Sequence, residues 1–190
     1  NGNYIQSRTV YIEIEGTITD LTSKGISNNT AENGRIFSNN NIENAYLAFD
    51  KNTNTYWDGG NIDSFIGYEF NTPVEINNVI INQPYRNDVI KDFKIQYSDD
   101  NITYNDASET LTYIRGEGEL EFELKENLGK HKYWRYQNLS GYGRNNYCAI
   151  SELVFSNKKK KFIQRDKLTE KIVENSSEKN RIFSNNNEKS

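Results

Sequence analysis

A regular alternation of apolar and polar residues over residues 64–155 constrains the fold of this chain more than any other feature of its sequence. In "FKIQYS", Phe93, Ile95 and Tyr97 alternate with polar residues, and "ELEFELK" at 119–125 repeats the pattern with glutamates between its apolar positions. Residues two apart lie on the same face of a β-strand, so each segment has one face for a core and one for water. Turn residues interrupt the alternation at short intervals, which is typical of an antiparallel sandwich or barrel. The sequence therefore predicts an all-β fold.

The same alternation predicts further strands, and the turn residues between them agree with it. "SDDN" at 98–101 has the Asp and Asn content of a tight turn, and we expect it to join the strand at Phe93 to a strand at 102–104. Pro73 and Pro84 fall at predicted strand ends, where a missing N–H is harmless. The further strands are predicted at 66–70, 79–82, 133–139 and 150–155.

Composition restricts the classes of protein to which the chain can belong. Its 190 residues suffice for one domain with extensions, and its net charge is -4. The basic residues are scattered apart from the lysine run at 158–161, so we expect no nucleic-acid partner. No run of eighteen or more apolar residues occurs, so no transmembrane segment is predicted. A single cysteine, Cys148, excludes an internal disulfide.

The segments that flank the alternating region differ from it in their pattern of apolar and charged residues. Residues 1–32 form an N-terminal extension in which "TVYIEIEG" predicts one strand, either an extra edge of this domain or the end of a preceding module. Residues 157–180 form a charged linker whose apolar positions approximate a helical stripe, which predicts a partly helical linker. Its lysine run either starts the solvated linker or contacts an anionic surface.

One heptad, "RIFSNNN", occurs twice, at 35–41 and at 181–187. The spacing of the two copies is close to the length of one module plus a linker. We therefore expect the first copy to form the first strand of the domain at 33–156, with Ile36 and Phe37 as its apolar residues. Residues 181–190 are then the truncated, loosely ordered start of a following repeat, and other modules of the same chain are expected partners.

Three segments, in this order, resemble discoidin domains, which are also called coagulation factor V/VIII (F5/8) type C domains. They are "AYLAFDKNTNTYWD" at 45–58, "INNVIINQPYRNDVIKDFKIQYSDDNITYND" at 76–106 and "KYWRYQNLSGYGRNNYCAISELVF" at 132–155. The resemblance implies a jelly-roll-like antiparallel β-sandwich of the galactose-binding-like type, whose loops at one end bind ligands. The lone Cys148 favours the bacterial branch, the family 32 carbohydrate-binding modules, because animal members usually carry a terminal disulfide.

The first of these segments contains candidate ligands for a metal ion. Asp50, Asn52 and Thr55 offer hard oxygens within six residues, a spacing that a tight loop can wrap around one Ca²⁺. The resemblance implies Glu152 as the second carboxylate and backbone carbonyls near 45–51 and 148–149 as further ligands. A structural Ca²⁺ that closes the sandwich is therefore predicted. The alternative is that Asp50 and Asn52 only form an Asx turn ahead of Trp57.

Two loops contain the groups that hold sugars, namely an aromatic ring for the C–H face of a pyranose and polar side chains for its hydroxyls. "NQPYRND" at 82–88 resembles the loop that supplies an Arg and an Asn in the sugar-binding branch, and "SGYGRNNY" at 140–147 resembles the loop that supplies the stacking ring. The loop after Trp57 is expected to contribute less. The predicted ligand-binding residues are Tyr85, Arg86, Asn87, Tyr142, Asn145, Tyr147 and Asp58.

Several of these residues also have a purely structural interpretation. Tyr147 precedes the closing strand and caps the core in that alternative. Trp57 and Trp134 are expected in the core rather than in a binding platform, and Arg135 in "YWRY" is expected to form a structural ion pair. The histidine that family members often place in the cleft has no counterpart, because His131, the single histidine, lies in a distant turn.

Three hypotheses for function follow. The first is a non-catalytic module for glycans that contain galactose, N-acetylgalactosamine or N-acetylglucosamine, within a secreted or cell-surface bacterial protein, where it targets a glycoside hydrolase. The second is an adhesion module that uses the same loops on a protein or membrane surface. The third, an enzyme, is disfavoured because neither His131 nor Cys148 has a local catalytic signature and a turn explains the Asp99 and Asp100 pair.

Overall fold

The computed structural model describes residues 5–22, 26–60, 62–84, 90–143 and 147–171. Its regular structure is one 3₁₀ helix, Ile42–Ala48, and a series of β-strands, so the all-β prediction is confirmed. No helix in these ranges is long and apolar enough to span a membrane. The strands are β1 (Ile5–Asp20), β2 (Thr30–Ala31), β3 (Gly34–Ser38), β4 (Trp57–Gly60), β5 (Phe65–Val74), β6 (Asn78–Asn82), β7 (Asp92–Ser98), β8 (Asn105–Asp106), β9 (Leu111–Thr112), β10 (Glu119–Glu123), β11 (His131–Asn138), β12 (Cys148–Ile150) and β13 (Glu152–Lys171).

The strands form two larger sheets and one small sheet. The first has the order β1-β13-β6-β10, and the second has the order β2-β3-β5-β11-β7-β8, with β9 also paired to β7. The small sheet joins β12 to β4. Every strand pair with a described register is antiparallel, as the sequence predicts for a sandwich.

The core lies between the two larger sheets. Phe93 of β7 meets Phe122 of β10 edge to face, with ring centroids 5.1 Å apart, and stacks on Tyr136 of β11 at the same distance. Trp57 and Trp134 are fully buried, which confirms that both belong to the core. Each indole N–H donates to a backbone carbonyl, so neither burial leaves an unpaired donor.

The described chain divides into two compact units. Residues 18–158 form the sandwich, and a smaller unit comprises residues 1–17 and 159–190, of which 5–17 and 159–171 are described. In the smaller unit these segments belong to β1 and β13, which are hydrogen-bonded neighbours. β1 covers the strand predicted from "TVYIEIEG".

The helical linker predicted for 157–180 is wrong for residues 157–171, which continue β13 as a strand. The physical reason is tertiary pairing. β1 lies beside β13 and supplies backbone partners to an extended chain, whereas an isolated amphipathic helix has only its own hydrogen bonds and marginal stability in water. Residues 172–190, including the second copy of the heptad, lie outside the described residues.

The strand predicted at 102–104 is also wrong, and β8 at Asn105–Asp106 pairs with β7 instead. Side chains extend the turn by capturing the backbone N–H groups that a strand would use. Oδ1 of Asp100 accepts the N–H groups of Ile102 and Thr103, both at 2.8 Å. Such local hydrogen bonds compete directly with a sheet ladder, so pairing starts only at residue 105.

The first copy of the heptad forms the strand β3, which follows β2 and pairs with it, and the approach to the 3₁₀ helix. Ile36 lies in the core, and Nε of Arg35 donates to the Glu69 carboxylate on the neighbouring β5. Asn41 precedes the helix with φ of 46°, a left-handed conformation that Asn tolerates better than most residues.

Gly34 of β3 allows β5 to approach closely, which generates a stability prediction. A Cβ at this position would lie 2.2 Å from the Glu69 carbonyl oxygen and 2.6 Å from the Tyr68 ring. A rotamer change cannot relieve the backbone clash, so Gly34→Ala should lower the free energy of unfolding by about 2 kcal/mol or more. Gly118→Ala is the matched control, because nothing lies within 4 Å of its Cβ, and it should change stability by less than about 0.5 kcal/mol. Urea denaturation measures both, and equal values for the two variants would contradict the account.

Candidate functional site

The predicted metal loop folds around Asp50. Its Oδ1 accepts the N–H of Asn52 at 2.9 Å and its Oδ2 accepts the Thr55 hydroxyl at 2.7 Å, while the Asn52 carbonyl accepts the N–H of Thr55 at 3.0 Å. The Asx turn considered from the sequence is therefore present. It gathers the side chains of Asp50, Asn52 and Thr55 into one loop, so the turn and a metal site are compatible.

Glu152, at the start of β13, is a buried carboxylate. The residue is 7% exposed, and neither carboxylate oxygen makes a hydrogen bond of normal geometry, although the Asn52 N–H is near enough to lower its pKa a little. The pKa of Glu152 is raised to about 7, chiefly by burial and in part by the nearby Asp50 carboxylate. Lys51 acts in the opposite direction, but its amine is already 2.9 Å from the Asp20 carboxylate. The fold thus places a buried, unsatisfied carboxylate beside the Asp50 loop.

These residues fit a hard divalent cation. When both are ionised, these two neighbouring carboxylates repel each other unless a cation lies between them, and Ca²⁺ prefers this type of oxygen ligand. The described residues contain no cluster of three or more His, Cys, Asp or Glu side chains that could hold a metal. Asn52, Thr55 and backbone carbonyls would therefore have to complete the coordination of a Ca²⁺ ion held by Asp50 and Glu152.

A second polar group lies where β4 and β12 pair. Asp58 of β4 is opposite Ala149 of β12, and this pairing brings Tyr147, just before β12, next to Asp58. The Tyr147 hydroxyl donates to Oδ2 of Asp58, and Oδ1 accepts the N–H of Gly60 at 3.0 Å. Tyr147 is partly exposed, so its ring is only partly buried.

Asp58 lines an open depression of about 420 Å³ together with three residues that sequence reasoning missed: Asn40, Asn41 and Glu43. All four side chains are polar. The missed residues follow β3, and the signal that could have found them is the Asn-rich end of the repeated heptad. Asn40 is held firmly, since its amide donates to the Gly59 carbonyl at 2.8 Å.

The other predicted ligand residues do not all reach this depression. The Tyr142 hydroxyl donates to the Tyr113 carbonyl at 3.0 Å, and its ring lies 5.9 Å from the Arg115 guanidinium, so a different segment positions it. Tyr85, Arg86, Asn87 and Asn145 lie outside the described residues.

Cys148 and His131, which were considered as catalytic groups, both have structural roles. The Cys148 thiol is fully buried, and burial raises its pKa to about 12, so it is a protonated thiol at neutral pH. His131 stacks on Tyr97, with its ring nitrogens 3.0 Å from Asp99 and 2.8 Å from the Leu128 carbonyl. His131 does not line the Asp58 depression.

Several solved structures with the same fold are modules of bacterial proteins. The F5/8 type C domain of a Bacteroides fragilis protein aligns with a TM-score of 0.56 at 15% identity over 66% of this chain and 92% of that chain. CBM32-3 from a family 31 glycoside hydrolase of Clostridium perfringens aligns with a TM-score of 0.52 at 20% identity over 67% and 90%. CpGH89CBM32-5 of Clostridium perfringens, in complex with GalNAc-β-1,3-galactose, aligns with a TM-score of 0.50 at 14% identity over 77% and 93%.

The fold and the polar groups at its loops define a β-sandwich of the discoidin class. The model of the F5/8 type C domain family matches residues 24–153, most of the chain, and the chain belongs to this family. No curated protein matches its sequence. The resemblance inferred from the three sequence segments is therefore confirmed, and the low identities to the solved structures establish the fold alone.

The environment of Glu152 generates a prediction for the metal-free protein. Its pKa in the folded chain, about 7, exceeds its ordinary value of 4.5, so the folded chain holds a proton that the unfolded chain has released between these pH values. Stability should therefore fall as pH rises from 4.5 to 7 and should not recover above pH 7. In the presence of a chelator, this fall in the free energy of unfolding should be smaller in Glu152→Gln than in the parent protein, by at most about 3 kcal/mol.

Chemical denaturation at a series of pH values measures the effect. Glu109→Gln, at an exposed carboxylate paired with Lys125, is the matched control and should follow the parent protein. If the stability curves of Glu152→Gln and the parent run parallel across the window, Glu152 does not carry the proton.

Proposed function

We propose that this chain is a non-catalytic carbohydrate-binding module that recognises glycans containing galactose, N-acetylgalactosamine or N-acetylglucosamine. It acts within a larger, secreted or cell-surface, multi-modular bacterial protein, where it directs a glycoside hydrolase to host or cell-surface glycans. The observation that carries the proposal is the Asp58 carboxylate, held by Tyr147 at the wall of an open polar depression.

The chemistry of this depression suits a monosaccharide at the end of a glycan. Asp58 and Glu43 accept hydrogen bonds from sugar hydroxyls, and charge-assisted bonds of this kind are stronger than neutral ones. The amides of Asn40 and Asn41 both donate and accept, which matches the dual character of a hydroxyl. The partly exposed Tyr147 ring offers an apolar surface for the C–H face of the pyranose.

Family membership supports this class of ligand. A solved module of the same fold is bound to GalNAc-β-1,3-galactose, and another comes from a glycoside hydrolase. Arg86 and Asn87 remain the proposed polar contacts from the loop at 82–88, with Tyr85, Tyr142 and Asn145 as further candidates. Because the family's cleft histidine has no counterpart here, Asp58 and Glu43 are the charged groups of the described site.

The proposed module also holds one structural Ca²⁺. Asp50 and Glu152 supply the carboxylates, and the side-chain oxygens of Asn52 and Thr55 complete the set with backbone carbonyls. A bound Ca²⁺ supplies positive charge that neutralises the buried Glu152 and ties the Asp50 loop to the start of β13. The ion has no catalytic role in this proposal.

Sugar binding tests the proposal directly. Isothermal titration calorimetry with galactose, N-acetylgalactosamine and N-acetylglucosamine should detect affinities near the millimolar range, consistent with a small, open site. Asp58→Ala should weaken binding by about tenfold or more, because a charged hydrogen bond of roughly 1.5–3 kcal/mol is lost. Glu109→Ala, an exposed carboxylate outside the depression, is the control and should bind normally.

Two variants distinguish the contribution of the Tyr147 ring from that of its hydroxyl group. Tyr147→Phe keeps the ring and should retain most affinity, whereas Tyr147→Ala should lose it. A glycan array without any bound glycan would refute the proposal. Binding to cells or liposomes that free sugar does not compete would instead establish the adhesion alternative.

Calcium binding makes its own prediction. At Ca²⁺ concentrations about 100-fold above the dissociation constant, binding adds about 2.7 kcal/mol, or roughly 5–10 °C in melting temperature for a chain of this size. Addition of a chelator should reverse this shift in the parent protein. In Glu152→Gln the melting temperature should not respond to chelator, because one of the two carboxylates is gone. An unchanged melt of the parent protein in chelator would refute the calcium site.

A further inference from the structure

The outer face of the seven-stranded sheet, opposite the core, carries a cluster of aromatic side chains. In β11, Trp134 and Tyr136 are buried in the core, so the alternation of the strand places Tyr133 and Arg135 on the outer face. The Phe37 ring lies 6.2 Å from both the Phe65 ring and the Tyr133 ring. We call the surface formed by Phe37, Phe65, Tyr104, Tyr133 and Arg135 the aromatic face.

Arg135 lies at the centre of the aromatic face, between two rings. Its guanidinium carbon is 3.6 Å from the centroid of Tyr104 and 4.6 Å from that of Phe65. Gly67 of β5 lies opposite Arg135, and a Cβ there would come within 2.8 Å of the Arg135 Cβ and 2.4 Å of Phe37. The missing side chain at Gly67 therefore allows the rings and the guanidinium to pack together.

This arrangement differs from the ion pair predicted for Arg135. Nε donates to Oε1 of Gln96 at 2.8 Å, and no carboxylate among the described residues pairs with the guanidinium. Two rings lie against the guanidinium, and the bond from Nε to Gln96 leaves its terminal N–H groups for a further acceptor. Burial lowers the pKa of Arg135 from its ordinary value, but an arginine remains charged at any physiological pH.

The neighbouring charges do not neutralise Arg135. The Glu69 carboxylate is shared by Arg35 and Lys132, the latter at 2.9 Å. Lys94 pairs with Asp106 at 2.5 Å. Of these four cations, Arg135 is the one without a carboxylate partner among the described residues, and Asp100, the further carboxylate near Tyr104, is occupied by the N–H groups of its own turn. The unpaired charge of Arg135 is complementary to an anionic partner.

We propose that the aromatic face is a second glycan-binding site, distinct from the Asp58 depression, and that it binds the carboxylate of a uronic acid residue in an acidic polysaccharide. The planar edge of Arg135 matches a carboxylate with two parallel N–H···O bonds. The half-exposed rings around it offer apolar surfaces for the C–H face of the same or the adjacent pyranose. An acidic peptide would satisfy the charge but would not use the rings in this way.

The test uses tetragalacturonate and its methyl ester, which share one carbohydrate backbone and differ in charge. Titration of the full chain in low salt should show binding of tetragalacturonate that weakens as salt is added. The methyl ester should bind about tenfold more weakly or not at all, since the charge-assisted bonds are lost. Equal binding of the two probes, or no binding of tetragalacturonate, would overturn the proposal.

Variants locate the site on the aromatic face. Arg135→Met keeps the length of the side chain without its charge and should weaken tetragalacturonate binding by about tenfold or more. Arg135→Lys keeps the charge but lacks the two parallel N–H donors of a guanidinium, so it should also bind tetragalacturonate more weakly than the parent protein. Tyr104→Leu removes one stacking ring while Arg135 remains, so it supports the test if an Arg135 variant fails to fold. Unchanged binding in folded Arg135→Met protein would overturn the proposal.

Two further measurements distinguish the aromatic face from the Asp58 depression and from a peptide-binding surface. Asp58→Ala should leave tetragalacturonate binding unchanged, and Arg135→Met should leave binding of neutral sugars unchanged, so failure of either site is recognised independently. Loss of tetragalacturonate binding in Asp58→Ala would overturn the second site. If tetraglutamate binds as tightly as tetragalacturonate and depends equally on Arg135, the partner is an acidic peptide and the assignment to a glycan is wrong.

Discussion

The hydrogen bonds of Asn39 and Asn40 hold together the end of the sandwich where the candidate sites lie. The Asn39 side chain accepts the N–H of Phe65 at 2.8 Å and donates to the Asp63 carbonyl at 3.0 Å. The Asn40 carbonyl accepts the indole N–H of the buried Trp57 at 3.0 Å, and its side chain binds Gly59. Both ends of β4 are thereby attached to the segment after β3. Asp58 lies between these attachments, so its position depends on the bonds that Asn40 makes to both of its neighbours.

This arrangement gives a physical reason for the composition of the repeated heptad. Ile36 contributes to the core, Arg35 pairs with Glu69, and the three asparagines provide the clamps and the left-handed residue before the 3₁₀ helix. Each requires a specific side chain, because a hydrophobic substitute at Asn39 or Asn40 would remove these bonds to the backbone of the neighbouring segments.

Two charged residues without a compensating partner mark the binding surfaces proposed for this protein. Glu152 is buried beside another carboxylate and lacks a donor, whereas Arg135 is enclosed by rings and lacks an acceptor of opposite charge. Both arrangements cost free energy in the isolated chain, and a ligand of opposite charge offsets that cost. The rest of the sandwich can tolerate the two residues because its core is continuous and its buried tryptophans are fully hydrogen-bonded.

By itself, the sequence determined the strands whose apolar residues alternate, the all-β class, the family and the oxygen-rich loop at Asp50, because each follows from local pattern. Only the tertiary structure decided which distant groups meet. The approach of Glu152 to Asp50, the contact of Tyr147 with Asp58 and the enclosure of Arg135 all depend on strand register, which local sequence does not specify. The same reason explains the wrong helix at 157–171, where pairing with β1 outweighed a helical pattern, and the turn at Asp100, where side-chain hydrogen bonds delayed the next strand.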